Sequence, residues 1–125
     1  MAEEIRDASQ DPSGIAVRGL EALDDLSQVF ASLGSAPRLR ILYLLHHRPD
    51  LSVGELSYLV GISISGVSTH LQRLKRSGLV NCRKDGQTVC CTLQGTSRHV
   101  RFLKGLFEEI ATETGGDPLR ERGGV

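Results

Sequence analysis

Residues 51–93, reading LSVGELSYLVGISISGVSTHLQRLKRSGLVNCRKDGQTVCCTL, constrain the fold more than any other stretch. Ser52 and Glu55 have the S-x-x-E spacing of a capping box, in which hydroxyl and carboxylate each accept from the other residue's backbone N–H. Val53, Leu56, Leu59 and Val60 then repeat at helical spacing. Gly61 supplies a tight turn of the kind that often needs a positive φ. Ser63 or Ser65 caps the next helix, whose buried stripe is Val67, Leu71 and Leu74 at i, i+4 and i+7, and Gly78 stands at its C′ position.

Two helices joined at a glycine turn, the second polar on its outer face, form a helix-turn-helix. With Val67, Leu71 and Leu74 turned inward, Ser65, Ser68, Thr69, Gln72 and Arg73 project outward. The major groove of B-DNA, about 12 Å wide, admits one such helix. Short hydroxyls permit close approach, and Gln72 and Arg73 suit bidentate contacts to bases or reach phosphates. His70 and Gly66 are ambiguous, and Ile64 either meets a thymine methyl or packs inward.

Strands are expected at 79–84 and 87–93, turning at Asp85-Gly86. Arg83 and Lys84 flank the tip of this hairpin, placed for phosphates or a neighbouring minor groove. The expected DNA-contacting set is therefore Ser63, Ser65, Ser68, Thr69, Gln72, Arg73, Arg76, Arg83 and Lys84.

The flanks read more simply. Residues 1–17 and 115–125 have the composition of flexible tails around one domain at 18–114. A helix starts at Leu20, with Leu23, Leu26, Phe30 and Leu33 in phase, and ends at Gly34. Ser35 caps a second helix at 36–46, with Pro37 in its first turn and Leu39, Ile41, Leu42, Leu44 and Leu45 around most of its circumference. A last helix is expected at 96–114, its apolar stripe being Val100, Leu103, Leu106, Phe107 and Ile110.

The net charge is zero over 125 residues, but it is segregated. Residues 1–34 hold two arginines against seven carboxylates, whereas 63–88 hold five basic residues against Asp85. A local basic patch binds phosphate even when the whole chain is neutral. No apolar run approaches the roughly 20 residues of a membrane span, and the polar, acidic start MAEEIRDASQ is not a secretory signal. A cytoplasmic location without membrane contact is expected. No triad, paired carboxylate or phosphate loop appears, so no catalytic residue and no cofactor are assigned and the chain is not read as an enzyme.

These residues resemble the ArsR/SmtB family of bacterial winged-helix transcriptional repressors. The resemblance rests on FASLGSAPRLRILYLL (30–45), on 51–80, on the wing KDGQTVCCTL (84–93), and above all on S-x-S-x-V-S-x-H-L at 63–71. It implies a mainly α fold with a β-hairpin wing, a winged helix-turn-helix of order ααααββα, dimerising through its first and last helices. It also implies a homodimer on an inverted-repeat operator and repression relieved by an effector that stays unidentified. Many metal sensors of this family carry cysteines on the helix before the turn, where this chain has Ser52 and Gly54. Others use the last helix, where His99, Glu108, Glu109 and Glu113 lack a paired spacing. No metal site is therefore expected, and His46-His47 at a helix end are read as capping the helix dipole. Ile64 and Gly66 stand where polar residues are common.

Regulation is then sought in the wing, which holds Cys82, Cys90 and Cys91. With the turn at Asp85-Gly86, Lys84 pairs with Gln87 and Cys82 with Val89, leaving Cys91 diagonal to Cys82 on the same face; a register slip puts Cys82 opposite Cys90. Three readings stay open: a thiol switch, a trivalent arsenic or antimony site, or small hydrophobes in ordinary packing. The odd count argues against a structural disulfide framework. Two other readings stand beside the effector-released repressor: a regulator with no metal or thiol effector, and a winged-helix protein-interaction module.

Overall fold

The computed structural model describes residues 17–115. The tails expected at 1–17 and 115–125 fall outside these except for Val17 and Gly115. The chain divides into two compact units between Ala31 and Ser32. Helix α1, Val17–Leu33, carries the first. Leu20, Leu23 and Phe30 are exposed along it.

The second unit begins with α2, Ala36–His47. Ser35 caps it, its hydroxyl accepting from the Arg38 N–H. Ile41, Leu42, Leu44 and Leu45 are buried, so α2 is the central helix, although Leu39 reaches solvent. After α2 the chain forms β1 (Leu51–Ser52), α3 (Val53–Val60), α4 (Ile64–Arg76), β2 (Val80–Asp85), β3 (Thr88–Leu93) and α5 (Arg98–Thr114). Leu56 of α3, Val67 and Leu74 of α4, Leu79, Val80, Cys91 and Val100 complete the fully buried core.

The order is thus ααβααββα and not ααααββα. The strand missing from the sequence reading, β1, has two residues, too few to show an alternating pattern. It exists because β3 pairs with it, Leu51 opposite Cys91 and Ser52 opposite Cys90, giving an antiparallel sheet of order β1-β3-β2.

The hairpin register also differs from expectation. Asp85 pairs with Thr88, so Gly86 and Gln87 form the loop and Gln87 is not a strand residue. Gly86 takes φ +67° at the first loop position, where glycine is the favoured residue of one common two-residue turn. The ladder is displaced by two residues, so every side chain keeps its face. Cys82 consequently lies directly opposite Cys91, and Arg83 opposite Cys90.

Helix α5 starts at Arg98, two residues later than expected, with Ser97 as its cap, accepting from the Val100 N–H at 3.3 Å. Its buried row is Val100, Leu103, Phe107 and Ala111. Leu106 and Ile110, expected in that row, instead line up with Phe102 in a second, exposed row. Positions i, i+4 and i+8 share one helix face, so α5 is apolar on two sides.

Candidate nucleic-acid interface

Local capping chemistry builds the helix pair. Ser52 Oγ accepts from the Glu55 N–H at 3.0 Å, and Glu55 Oε1 accepts from the Ser52 N–H at 2.9 Å. Each contact satisfies a backbone donor that the first turn of α3 cannot use. Gly61, at φ +80°, ends α3, and Ser57 ties down the turn by donating its hydroxyl to the Ile62 carbonyl at 2.5 Å. Ser63 caps α4, its Oγ accepting from the Gly66 N–H at 3.0 Å. Gly66 is small for a reason: a Cβ there would meet Ser63 Oγ at 3.1 Å. At the other end Gly78 adopts φ +73°, and the N–H groups of Gly78 and Leu79 return to the carbonyls of Lys75 and Leu74, both at 3.0 Å. This paired closure is the one that a left-handed residue at C′ permits.

Helix α4 is therefore pinned at both ends and has two unlike faces. Val67, Leu71 and Leu74 are buried. Ser65, Thr69, Gln72, Arg73 and Arg76 are exposed on the opposite side, with Ser68 half-buried at its margin. Spacings of three and four place these six on one stripe. Two of the expected contact residues also have structural duties. The Ser63 hydroxyl is the cap, and Thr69 Oγ1 donates to the Ser65 carbonyl at 3.0 Å. Ile64 is exposed at the helix start.

Behind α4, Arg38 of α2 is a participant that sequence reasoning missed. Its Nε donates to the Ser32 carbonyl at 2.5 Å, and its Nη1 lies 3.3 Å from His70 Nδ1. Burial and the Arg38 charge together hold the His70 imidazole below its ordinary pKa of 6.5. His70 therefore belongs to the support of α4 in its neutral form. Burial and the neighbouring Arg73 likewise lower Arg38.

The wing contributes Arg83 and Lys84, both exposed. Arg83 is held from two sides: Nη2 donates to Asp50 Oδ2 at 2.5 Å, and Nη1 lies 3.8 Å from Asp85 Oδ2. Asp50, at the corner before β1, has φ +72°, a conformation that aspartate tolerates better than most residues. Within the wing, Cys82 and Cys91 form a disulfide across β2 and β3, with their Cα atoms 4.1 Å apart. This departs from the expectation drawn from the odd cysteine count. The third cysteine is simply left over: Cys90 is free and half-buried, on the opposite face of β3 from Cys91.

Residues 36–81 match the family described as "Bacterial regulatory protein, arsR family". The transcriptional activator HlyU of Vibrio cholerae is 48% identical over 65 residues, 52% of this chain. That match takes in 59% of HlyU, less than two thirds of the length of this curated relative. The HTH-type transcriptional regulator YgaV of Escherichia coli is 30% identical over 86 residues, covering 67% of this chain and 87% of YgaV. Among solved structures, reduced HlyU from V. cholerae superposes with a TM-score of 0.66 at 35% identity, covering 74% of this chain and 95% of that one. A homodimeric winged helix-turn-helix DNA-binding domain of Mycobacterium bovis gives 0.64 at 29% identity, covering 80% of this chain and 90% of that domain.

Proposed function

This chain belongs to the ArsR family of bacterial regulatory proteins, and on that premise we propose that it represses transcription by binding double-stranded DNA as a homodimer. The observation that carries the proposal is the polar stripe of exposed Ser65, Thr69, Gln72, Arg73 and Arg76, with half-buried Ser68 at its margin, on a helix fixed at both ends. A helix in the major groove offers its first turns to base edges. Ser65, Ser68, Thr69 and Gln72 stand there, while Arg73 and Arg76, further along, meet phosphates. Ser63 acts as the cap and approaches DNA through the helix N-terminus it completes. Arg83 and Lys84 hold the backbone flanking the groove, Arg83 exchanging exposed carboxylate partners for a phosphate.

The partner chain takes the apolar rows that remain exposed: Leu20, Leu23 and Phe30 on α1, and Phe102, Leu106 and Ile110 on α5. A two-fold dimer reads an inverted repeat, with half-sites about 34 Å apart along the duplex. Among the described residues no helix is long and apolar enough to cross a membrane, and the proposed place of action is the cytoplasm. No catalysis is part of this reading. Ser63, Thr69 and His70 are engaged in the cap, the helix backbone and the Arg38 contact respectively.

Selection of bound sequences from random duplex DNA, with sedimentation of the complex, tests the proposal. Recovery of an inverted repeat bound by two chains is expected. A monomer on DNA, or no enriched sequence, contradicts it, and absence of DNA binding favours the protein-interaction reading.

The cysteines support a second element: release of DNA by a thiol-oxidising signal. Cys82 and Cys91 face each other and are bridged, so two thiols lose two protons and two electrons to an oxidant such as a diazene or disulfide. Cys90 points away from this pair, which disfavours a three-thiolate arsenic site. The bridge lies immediately beside Arg83, so its formation bears on the charged edge of the wing.

A further inference from the structure

The last turn of α2 meets the middle of α5 at a polar cluster that DNA binding does not use. His46 Nε2 lies 3.0 Å from Glu108 Oε2. His47 adjoins them, and each of His46, His47 and Glu108 offers one donor atom such that the three lie within 4.8 Å of one another. Aromatic neighbours wall the cluster on the protein side. The Tyr43 ring is 4.6 Å from that of His47 and 5.4 Å from that of Phe107, and the Phe107 ring is 5.9 Å from that of His46.

Dipole capping does not account for the two imidazoles. His46 Nε2 turns to the Glu108 carboxylate on α5 and not to a carbonyl of the α2 C-terminus. His46 Nδ1 and His47 Nε2 are both out of solvent and have no hydrogen-bond partner. A buried polar atom left unsatisfied costs about 1–3 kcal/mol; a ligand held beside Glu108 by His46 Nε2 offers a partner to the orphan on His47, while the His46 Nδ1 orphan lies on the other edge of its ring.

We propose that His46, His47 and Glu108 form a binding site for a divalent transition-metal ion of the zinc type. Two imidazole nitrogens and one carboxylate oxygen are a donor set that such ions accept, one open position remaining for water. Bonds of about 2.0–2.1 Å around a tetrahedral ion place donors roughly 3.4 Å apart. The 3.0 Å His46–Glu108 contact opens slightly and the wider separations in the cluster close to reach that value. Glu108 is on an exposed turn of α5, so its side chain is free to make the adjustment. The site lies apart from α4 and stands or falls independently of the DNA-binding proposal.

Titration of the reduced full-length protein with Co2+, followed by absorption and by displacement with Zn2+, tests the assignment. One Co2+ per chain is expected, with ligand-field bands of a nitrogen and oxygen set and no sulfur charge-transfer band. His47→Gln and Glu108→Gln should each weaken binding at least about tenfold, since even indirect partners of metal ligands contribute that much. His99→Gln should leave it unchanged. Absence of stoichiometric Co2+ uptake, a thiolate band, or unchanged affinity in either variant overturns the proposal. Circular dichroism of each variant shows that a loss is not unfolding.

Discussion

Arg83 Nη2 donates to Asp50 Oδ2 at 2.5 Å, so one of the two basic residues near the wing tip is anchored to the corner that follows the central helix. Both side chains are about half exposed, at 57% and 42%. Exposed pairs of this kind stabilise by about 0–1 kcal/mol, so the contact orients Arg83 more than it holds the fold. Asp50→Asn, which tolerates the same positive φ, should leave stability to urea within about 1 kcal/mol. It should weaken DNA binding less than Arg83→Ala does. A larger effect of Asp50→Asn than of Arg83→Ala would mean that the corner, not the wing charge, meets DNA.

The two faces of α4 should separate cleanly in mutants. Leu74→Ala removes a fully buried side chain and should cost about 2–5 kcal/mol in unfolding free energy. Gln72→Ala changes an exposed residue and should stay within about 0.5 kcal/mol of wild type in stability, while losing about 1–3 kcal/mol of sequence discrimination. Chemical denaturation and competition binding measure the two quantities. Loss of stability without loss of discrimination in Gln72→Ala would remove that residue from the interface.

Removing the cap hydroxyls tests how the turn is held. Ser52→Ala breaks a reciprocal pair and Ser63→Ala a single cap, and each should destabilise by about 0.5–2 kcal/mol. The Ser63 variant should additionally weaken DNA binding, because the first turn of α4 frays. Equal DNA affinity for wild type and Ser63→Ala would show that the cap is dispensable to the interface.

Acid should erode stability in two windows. His70 is held below its ordinary 6.5, chiefly by burial and then by Arg38. The unfolded chain therefore takes up that proton first, and stability falls as pH drops from about 6.5. Glu108 is held below the ordinary 4.5 by its hydrogen bond to His46, then by the charges of His46 and His47. Its contribution is present above the ordinary carboxylate range and is lost as pH falls through it. Thermal unfolding against pH should show the upper loss diminished in His70→Gln. An identical profile for that variant would assign the upper window to another group.

Thiol chemistry should act through Cys82 and Cys91 and not through Cys90. Diamide should weaken DNA binding by the wild type and by Cys90→Ser, and reductant should restore it. Cys82→Ser should be insensitive. A Cys82→Ser protein that still responds would end the wing-switch reading.

What the sequence disclosed follows the range of the interactions. The turn residues Ser52, Glu55, Gly61, Ser63 and Gly78 act on backbone groups within a few positions, so their spacing alone located α3 and α4. The buried stripe Val67, Leu71 and Leu74 was equally legible. Strand β1 was not, since two residues owe their strand character to the partner β3. The hairpin register was off by two residues, because Asp85-Gly86 and Gly86-Gln87 are both plausible loops and the wider sheet decides between them. The contacts of Arg38 with His70 and of His46 with Glu108 join residues 32 and 62 positions apart, beyond the reach of any local pattern. The exposed row on α5 was misread because one period fits both of its apolar faces.

The most direct measurement of the central claim is the salt dependence of affinity for the selected operator. In wild type, log affinity should fall linearly with log salt, with a slope near −0.9 for each phosphate neutralised. Arg76→Ala and Lys84→Ala should each flatten the slope by about 1 without changing the preferred sequence, whereas Gln72→Ala should keep the slope and relax the sequence. Binding that is insensitive to salt, or slopes unmoved by both basic substitutions, would contradict an interface made by α4 and the wing.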